Sequence, residues 1–276
     1  MVPLSWFEAV SLPENEDCHP DEAQALKEYY QGKTTAHEAA YAITRPLANS
    51  SSDDLGFDRN GLWSVLITAI TEWPRSEAPG LLQLLKAIQQ APEPNIREEA
   101  KHSVEDGPFW DELPGFGHMW ADQFQREEWR DAIDGRPGDD DVRREMHDKY
   151  IFIASLEATF YDQRIAGIRL DWGYECITDA LERSNAVRDI QIPMAAEWLK
   201  LLPRRFYEGA LKREEDWPLR RDYLDLWKGG DIMTVERWQW WKSRLEAYVT
   251  EGLMGADSVR ASLEAMNAVE EEQQLD

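Results

Sequence analysis

Apolar residues in this chain recur three and four apart, and nowhere alternate one by one over a useful length, so the polypeptide is committed to helices. No Asn-Gly or Asp-Gly turn marks a hairpin. Helix boundaries are written clearly instead. Pro20 opens a helix that Gly32 closes. Thr35 and Glu38 have the spacing of a capping box ahead of Ala39, Ala40 and Ile43. Leu62, Val65, Leu66, Ala69 and Ile70 run at helical spacing until Trp73-Pro74 stops them, and Leu81, Leu82, Leu84, Leu85 and Ile88 form the next helix. A polar stretch from Pro92 to about Pro108 has no apolar period and reads as a long loop. Beyond it the spacing predicts helices near 140–166, 169–183, 193–211, 234–250 and 257–271, the third kinked by Pro203. The expected fold is all-α, a single-domain bundle of about nine or ten helices over residues 1–276, with residues 1–18 and 270–276 as flexible ends. Glu270, Glu271 and Glu272 read as a solvated, fraying tail.

Charge narrows the partners. Lys and Arg number 30 against 54 Asp and Glu, a formal net charge of −24. Such a surface repels phosphate backbones and anionic lipid, which argues against binding nucleic acid or a membrane face. Cys18 and Cys176 are the only cysteines, so no disulfide framework holds the fold and a reducing compartment is expected. The first residues carry no basic segment followed by an apolar run, and no stretch has the length of a membrane span, so the cytoplasm is the expected location. The 13 tryptophans fill a helical core or line an apolar pocket; both uses suit large rings.

The candidate functional residues are charges that fall on the wrong face. In the helix 169–183, Asp171, Glu175, Asp179 and Glu182 lie opposite the apolar face and read as solvated. The helix 234–250 differs. Trp238, Trp241, Leu245, Tyr248 and Val249 form its apolar arc, and Lys242 lies inside that arc. Three roles are open to it: reaching out to water on its long stem, pairing with Glu246 one turn on, or binding an anionic group of a ligand in a cavity. In the helix from about 142 to 166, Glu157 and Arg164 both fall in the apolar arc, with His147 and Tyr161 near the same line. Inward charges there form an internal salt-bridge network, hold a metal, or floor a small-molecule site. Arg205 on the kinked helix is a weaker example of the same kind.

Familiar catalytic patterns are absent: no glycine-rich phosphate loop, no G-x-S-x-G elbow, no H-E-x-x-H. Two strings, Asp53-Asp54-Leu55-Gly56-Phe57-Asp58 and Asp140-Asp141-Val142-Arg143-Arg144-Glu145, have the form of a magnesium-binding acidic motif. The first lies in a serine-rich loop, and the second lies at a helix N-terminus, where acids are favoured anyway.

Three segments carry a resemblance: Phe109-Trp110-Asp111-Glu112-Leu113-Pro114-Gly115-Phe116-Gly117, Ala195-Ala196-Glu197-Trp198-Leu199, and the run from Val235 to Leu245. With Leu62-Trp63 they resemble the fungal OpdG-like family, a domain of unknown function found in secondary-metabolite gene clusters, over about Tyr30 to Met266. The family is also similar, more distantly, to the magnesium-dependent humulene synthases of fungal tropolone pathways. That resemblance implies Lys242 as a diphosphate contact, Glu157 as a magnesium ligand, and aromatic walls including Trp238 and Trp241 around a carbocation. Two functions follow. One is a protein that binds an apolar or isoprenoid-like small molecule, acting as a magnesium-dependent terpene cyclase on a prenyl diphosphate. The other is a non-catalytic helical accessory or protein-interaction module. Oligomeric state is left open by the sequence.

Overall fold

In the computed structural model the described residues are 2–12, 18–48, 55–94, 109–124, 128–165, 167–220 and 225–275. Among them there are thirteen α-helices and no strand beyond an isolated antiparallel bridge between Arg183 and Asp225. The all-α expectation holds. The helix number was set too low for two reasons. Three helices of seven or eight residues, Leu4–Val10, Phe116–Gln123 and Glu128–Asp134, are too short to show a period. Pro203 also does more than kink: it ends one helix and begins another. The chain parts into two compact units, one of residues 1–126 with 165–167, the other of residues 127–164 with 168–276.

The first unit holds α1 (Leu4–Val10), α2 (Pro20–Tyr30), α3 (Ala36–Ala48), α4 (Leu55–Glu72), α5 (Ala78–Gln89) and α6 (Phe116–Gln123). The predicted punctuation is in place. The Thr35 backbone N–H donates to Glu38 Oε2 at 2.8 Å, and the Glu38 N–H to Thr35 Oγ1 at 3.3 Å. His19 serves α2 in the same way: its ring accepts from the Asp21 N–H at 3.1 Å, while Glu22 receives the His19 N–H at 3.0 Å. Helix α3 packs on α2, α4 and α5, burying Leu26, Ile43, Leu62, Leu66, Leu84, Leu85 and Ile88. The segment from Phe109 to Gly117 completes this core. Trp110 and Phe116 are fully buried, each edge-on to Trp63, whose indole N–H donates to the Pro114 carbonyl at 2.8 Å. The last residue of this segment, Gly117, sits so close to Gly167 that an added Cβ would lie 2.1 Å from the Gly167 carbonyl oxygen.

The second unit holds α7 (Glu128–Asp134), α8 (Asp140–Asp162), α9 (Leu170–Leu181), α10 (Arg188–Leu201), α11 (Pro203–Lys212), α12 (Val235–Glu251) and α13 (Ala256–Leu275). The central helix is α10: it packs on α8, α9 and α13, and Ile190, Ile192, Ala195, Ala196, Trp198 and Leu199 around its circumference are buried. Leu202 breaks the helical geometry, and Pro203 takes the first position of α11, where its missing N–H costs nothing. Asp139 caps α8 by accepting from the Asp141 and Val142 N–H groups, both at 3.1 Å. Among the described residues no helix is long and apolar enough to cross a membrane.

Candidate functional site

The Trp-rich helix α12 starts at Thr234, whose side chain accepts from the Arg237 N–H at 3.1 Å, and stops at Gly252 in the left-handed region. Between them, Trp238, Trp241, Leu245 and Tyr248 are buried as the apolar arc requires, and Lys242 is buried with them. Lys242 meets a partner that its own helix does not offer. Its ammonium sits 2.9 Å and 2.8 Å from the two carboxylate oxygens of Glu270 on α13. Glu270 also accepts from the Trp238 indole at 2.5 Å and the Gln239 amide at 2.9 Å. Glu270 is therefore no part of a solvated tail. Helix α13 runs back along α12 as far as Leu275, and a buried cation and an indole N–H fix its last turns, a tertiary effect that local composition does not record.

One turn before Trp241, Arg237 is buried deeper still and receives Glu182. Guanidinium Nε and Nη2 donate to the two carboxylate oxygens at 2.7 Å and 2.6 Å, and the Trp241 indole adds a third donor at 2.6 Å. Burial raises the Glu182 carboxyl above its ordinary range, against the pull of these donors. The expectation that Glu182 is solvated fails because Arg237 and Trp241 of α12 pack against it. Glu182 keeps the helical course, its N–H bonded to the Thr178 carbonyl at 2.8 Å, but the side it faces is covered by another helix. Asp171 on the same helix is also buried rather than solvated.

Arg205 on α11 forks onto Glu214, with Nη1 to Oε2 at 2.7 Å and Nη2 to Oε1 at 2.6 Å, and its Nε reaches the Tyr161 hydroxyl at 3.3 Å. The Tyr174 hydroxyl donates to the same carboxylate at 3.0 Å. Arg205 holds the Glu214 carboxyl below its usual range, and burial pushes the Tyr174 phenol up. Glu157 is half-buried on α8, whereas Arg164 lies past the end of that helix, exposed, with φ at +57°. Arg164 is not on the helical arc, because the helix ends at Asp162. His147 is buried, with Nδ1 2.9 Å from Asp148 Oδ1.

Three groups of charges thus result: Lys242–Glu270, Arg237–Glu182 and Arg205–Glu214. Each pairs a cation with a carboxylate of the same chain. Among the described residues no three His, Cys, Asp or Glu side chains gather to hold a metal ion. Asp140 and Asp141 occupy the first turn of α8, where Asp141 pairs with Arg144 at 3.0 Å; the string from Asp53 to Asp58 lies outside the described residues apart from the start of α4. Sequence reasoning missed Arg237, Glu182 and Glu214. A signal existed for the first, since Arg237 stands at i−4 from Trp241 and i−8 from Leu245 on the apolar arc.

A family model described as "Protein of unknown function (DUF3632)" matches residues 63–245, a stretch that takes in Trp63, the Phe109–Gly117 segment, the Arg205–Glu214 and Arg237–Glu182 pairs, and Lys242, but not Glu270. None of the curated proteins matches, and none of the solved structures does.

Proposed function

The chain belongs to the DUF3632 family of proteins of unknown function, and on that premise we propose that it is a non-catalytic helical module that works by binding another protein. The observation that carries this reading is the engagement of Lys242 by Glu270. A site that ionises a prenyl diphosphate needs cations with charge to spare for the leaving group. Here the cation singled out by the sequence is already neutralised, and withdrawing it to serve a ligand would leave a carboxylate largely out of water with no counter-charge. Arg205 is committed in the same way to Glu214. The net charge of −24 also opposes the approach of a diphosphate, while it attracts a basic protein over a distance.

The reading is tested in two steps. The chain, tagged at its natural locus and purified at low salt, is expected to carry a second polypeptide in fixed proportion, released at high salt. The purified chain given farnesyl diphosphate and Mg²⁺ is expected to form no hydrocarbon or alcohol product by gas chromatography. A chain that purifies alone and yields a cyclised product, with product lost in Lys242→Met, overturns the proposal in favour of the isoprenoid reading implied by the resemblance.

A further inference from the structure

Arg244 stands in the middle of α12, and its guanidinium is held from two sides. Nε donates at 3.2 Å to the carbonyl of Leu181, the last residue of α9, and the group lies 5.7 Å from the centre of the Trp240 ring. Capping that helix end uses Nε alone. The two Nη nitrogens donate to no described residue, and they are not sealed in: the side chain is half-buried, with its free nitrogens open to solvent.

Charge makes this arginine an exception. Lys242, Arg237 and Arg205 each have a carboxylate, in a chain whose net charge is −24. Among the described residues no carboxylate pairs with Arg244. Arg188 stands close enough to repel it, and is itself forked onto Glu251, Nη1 to Oε2 at 2.8 Å and Nη2 to Oε1 at 2.9 Å. Burial first, then Arg188, lowers the Arg244 guanidinium, against the pull of Glu251. Two guanidiniums thus share one carboxylate, and the pair is short of an anion.

The flank of the guanidinium is apolar. Trp240 packs against Trp227 with ring centres 5.6 Å apart, and the Trp227 indole N–H donates to the Gly230 carbonyl at 3.1 Å. Both rings are fixed, and both are half-buried. A planar pair of donors beside a half-open indole surface suits a carboxylate with an apolar group next to it. The net charge of the chain keeps nucleic acid and other polyanions away, but not a single carboxylate carried by an otherwise basic polypeptide.

Resting on the reading of the chain as a protein-binding module, we propose that the Nη pair of Arg244 receives the side-chain carboxylate of one glutamate or aspartate of a partner polypeptide, with an adjacent apolar residue of that partner lying on Trp240 and Trp227. The partner is basic overall, which brings it to this acidic chain, and its acid sets where it docks.

The test uses the full chain and two fluorescein-labelled peptides, Lys-Lys-Trp-Glu-Trp-Lys-Lys and the same peptide with Gln in place of Glu, read by fluorescence anisotropy at about 150 mM salt, where diffuse attraction is largely screened. The wild type is expected to bind the Glu peptide about 5- to 10-fold more tightly, although net charge alone favours the Gln peptide. Arg244→Gln is expected to abolish that preference, and Arg244→Lys, which keeps the charge but not the fork, to retain only part of it. Equal or weaker binding of the Glu peptide by the wild type overturns the proposal, and so does a preference that survives Arg244→Gln. The comparison of two peptides on the wild type stands even if a variant fails to fold, which a circular dichroism melt checks. A natural partner that co-purifies equally with wild type and Arg244→Gln overturns this site but leaves the general reading standing. No co-purifying polypeptide at all overturns the general reading, whatever the peptides do.

Discussion

Arg237 meets Glu182 in a two-pronged pair, Nε to Oε1 at 2.7 Å and Nη2 to Oε2 at 2.6 Å, with the two side chains 0% and 1% exposed. The remaining nitrogen, Nη1, donates to the Leu219 carbonyl at 2.9 Å and lies 3.3 Å from those of Gly230 and Ile232. The Glu182 carbonyl in turn accepts the Leu226 N–H at 2.6 Å. One arginine thus ties the end of α9 to α12 and to the irregular backbone leading into α12.

Breaking this pair is expected to be the most damaging polar change in the second unit. Arg237→Lys keeps the charge but loses the fork and the reach to three carbonyls. Glu182→Gln leaves the guanidinium buried without a counter-charge. Each is expected to lower the urea unfolding free energy by about 3–5 kcal/mol. Joining Glu182→Leu to Arg237→Met is expected to cost less than the two single changes added together, since neither charge is then stranded. A loss under about 1 kcal/mol in both single variants would show that the pair is dispensable.

Gly173→Ala tests a different kind of closeness. A Cβ there would lie 2.6 Å from Trp198 Cε3 and 2.9 Å from Phe206 Cζ, both parts of rings in a filled core. The expected loss is about 1–3 kcal/mol by denaturant titration, from displaced rings rather than lost contacts. Adding Phe206→Leu, which frees space on one side, is expected to restore part of that loss. If Gly173→Ala melts with the wild type, α9 is not held at this distance from α10 and α11.

Acid should dissolve the Arg205–Glu214 pair. The Glu214 carboxyl is held below its ordinary value of 4.5, first by hydrogen bonds from Arg205. A carboxyl depressed in the folded state contributes stability above its unfolded value and loses it as pH falls through the folded one. The wild type is therefore expected to lose stability over a window starting near 4.5 and extending below it. Glu214→Gln starts less stable at neutral pH and changes less across the same window, so the two curves converge in acid. Parallel curves of unfolding free energy against pH would show that Glu214 contributes nothing there.

What could be read from sequence was local. Pro20, the Thr35–Glu38 box and Trp73-Pro74 act within a few residues, and each sits where its chemistry predicts. The inward position of Lys242 was equally legible, because it follows from winding a single helix. What receives it was not. Glu270 is 28 residues away on another helix, and nothing in its own neighbourhood of acids distinguishes it from Glu271. Glu182 was hidden because its partners stand on another helix, and Arg164 was misread because periodicity holds only while the helix does. The contact of Arg244 with the Leu181 carbonyl joins the end of α9 to the middle of a helix 63 residues on, a juxtaposition that no repeat or motif announces.

The last prediction concerns the two ends of the Lys242–Glu270 pair, which are not equivalent. Lys242→Met removes one cation, but Glu270 keeps the Trp238 and Gln239 donors. The expected cost is about 1–2 kcal/mol. Glu270→Ala removes the common acceptor of a buried ammonium, a buried indole N–H and an amide at once, and about 2–4 kcal/mol is expected. Ending the chain at Val269 should cost at least as much as Glu270→Ala. Among the described residues, the Arg204–Glu272 pair is lost as well, but both side chains are more than half exposed and it contributes little. A tail of solvated acids would instead be removed at no cost, so equal melting of the truncated and full chains would return residues 270–276 to that description and leave Lys242 available to a ligand.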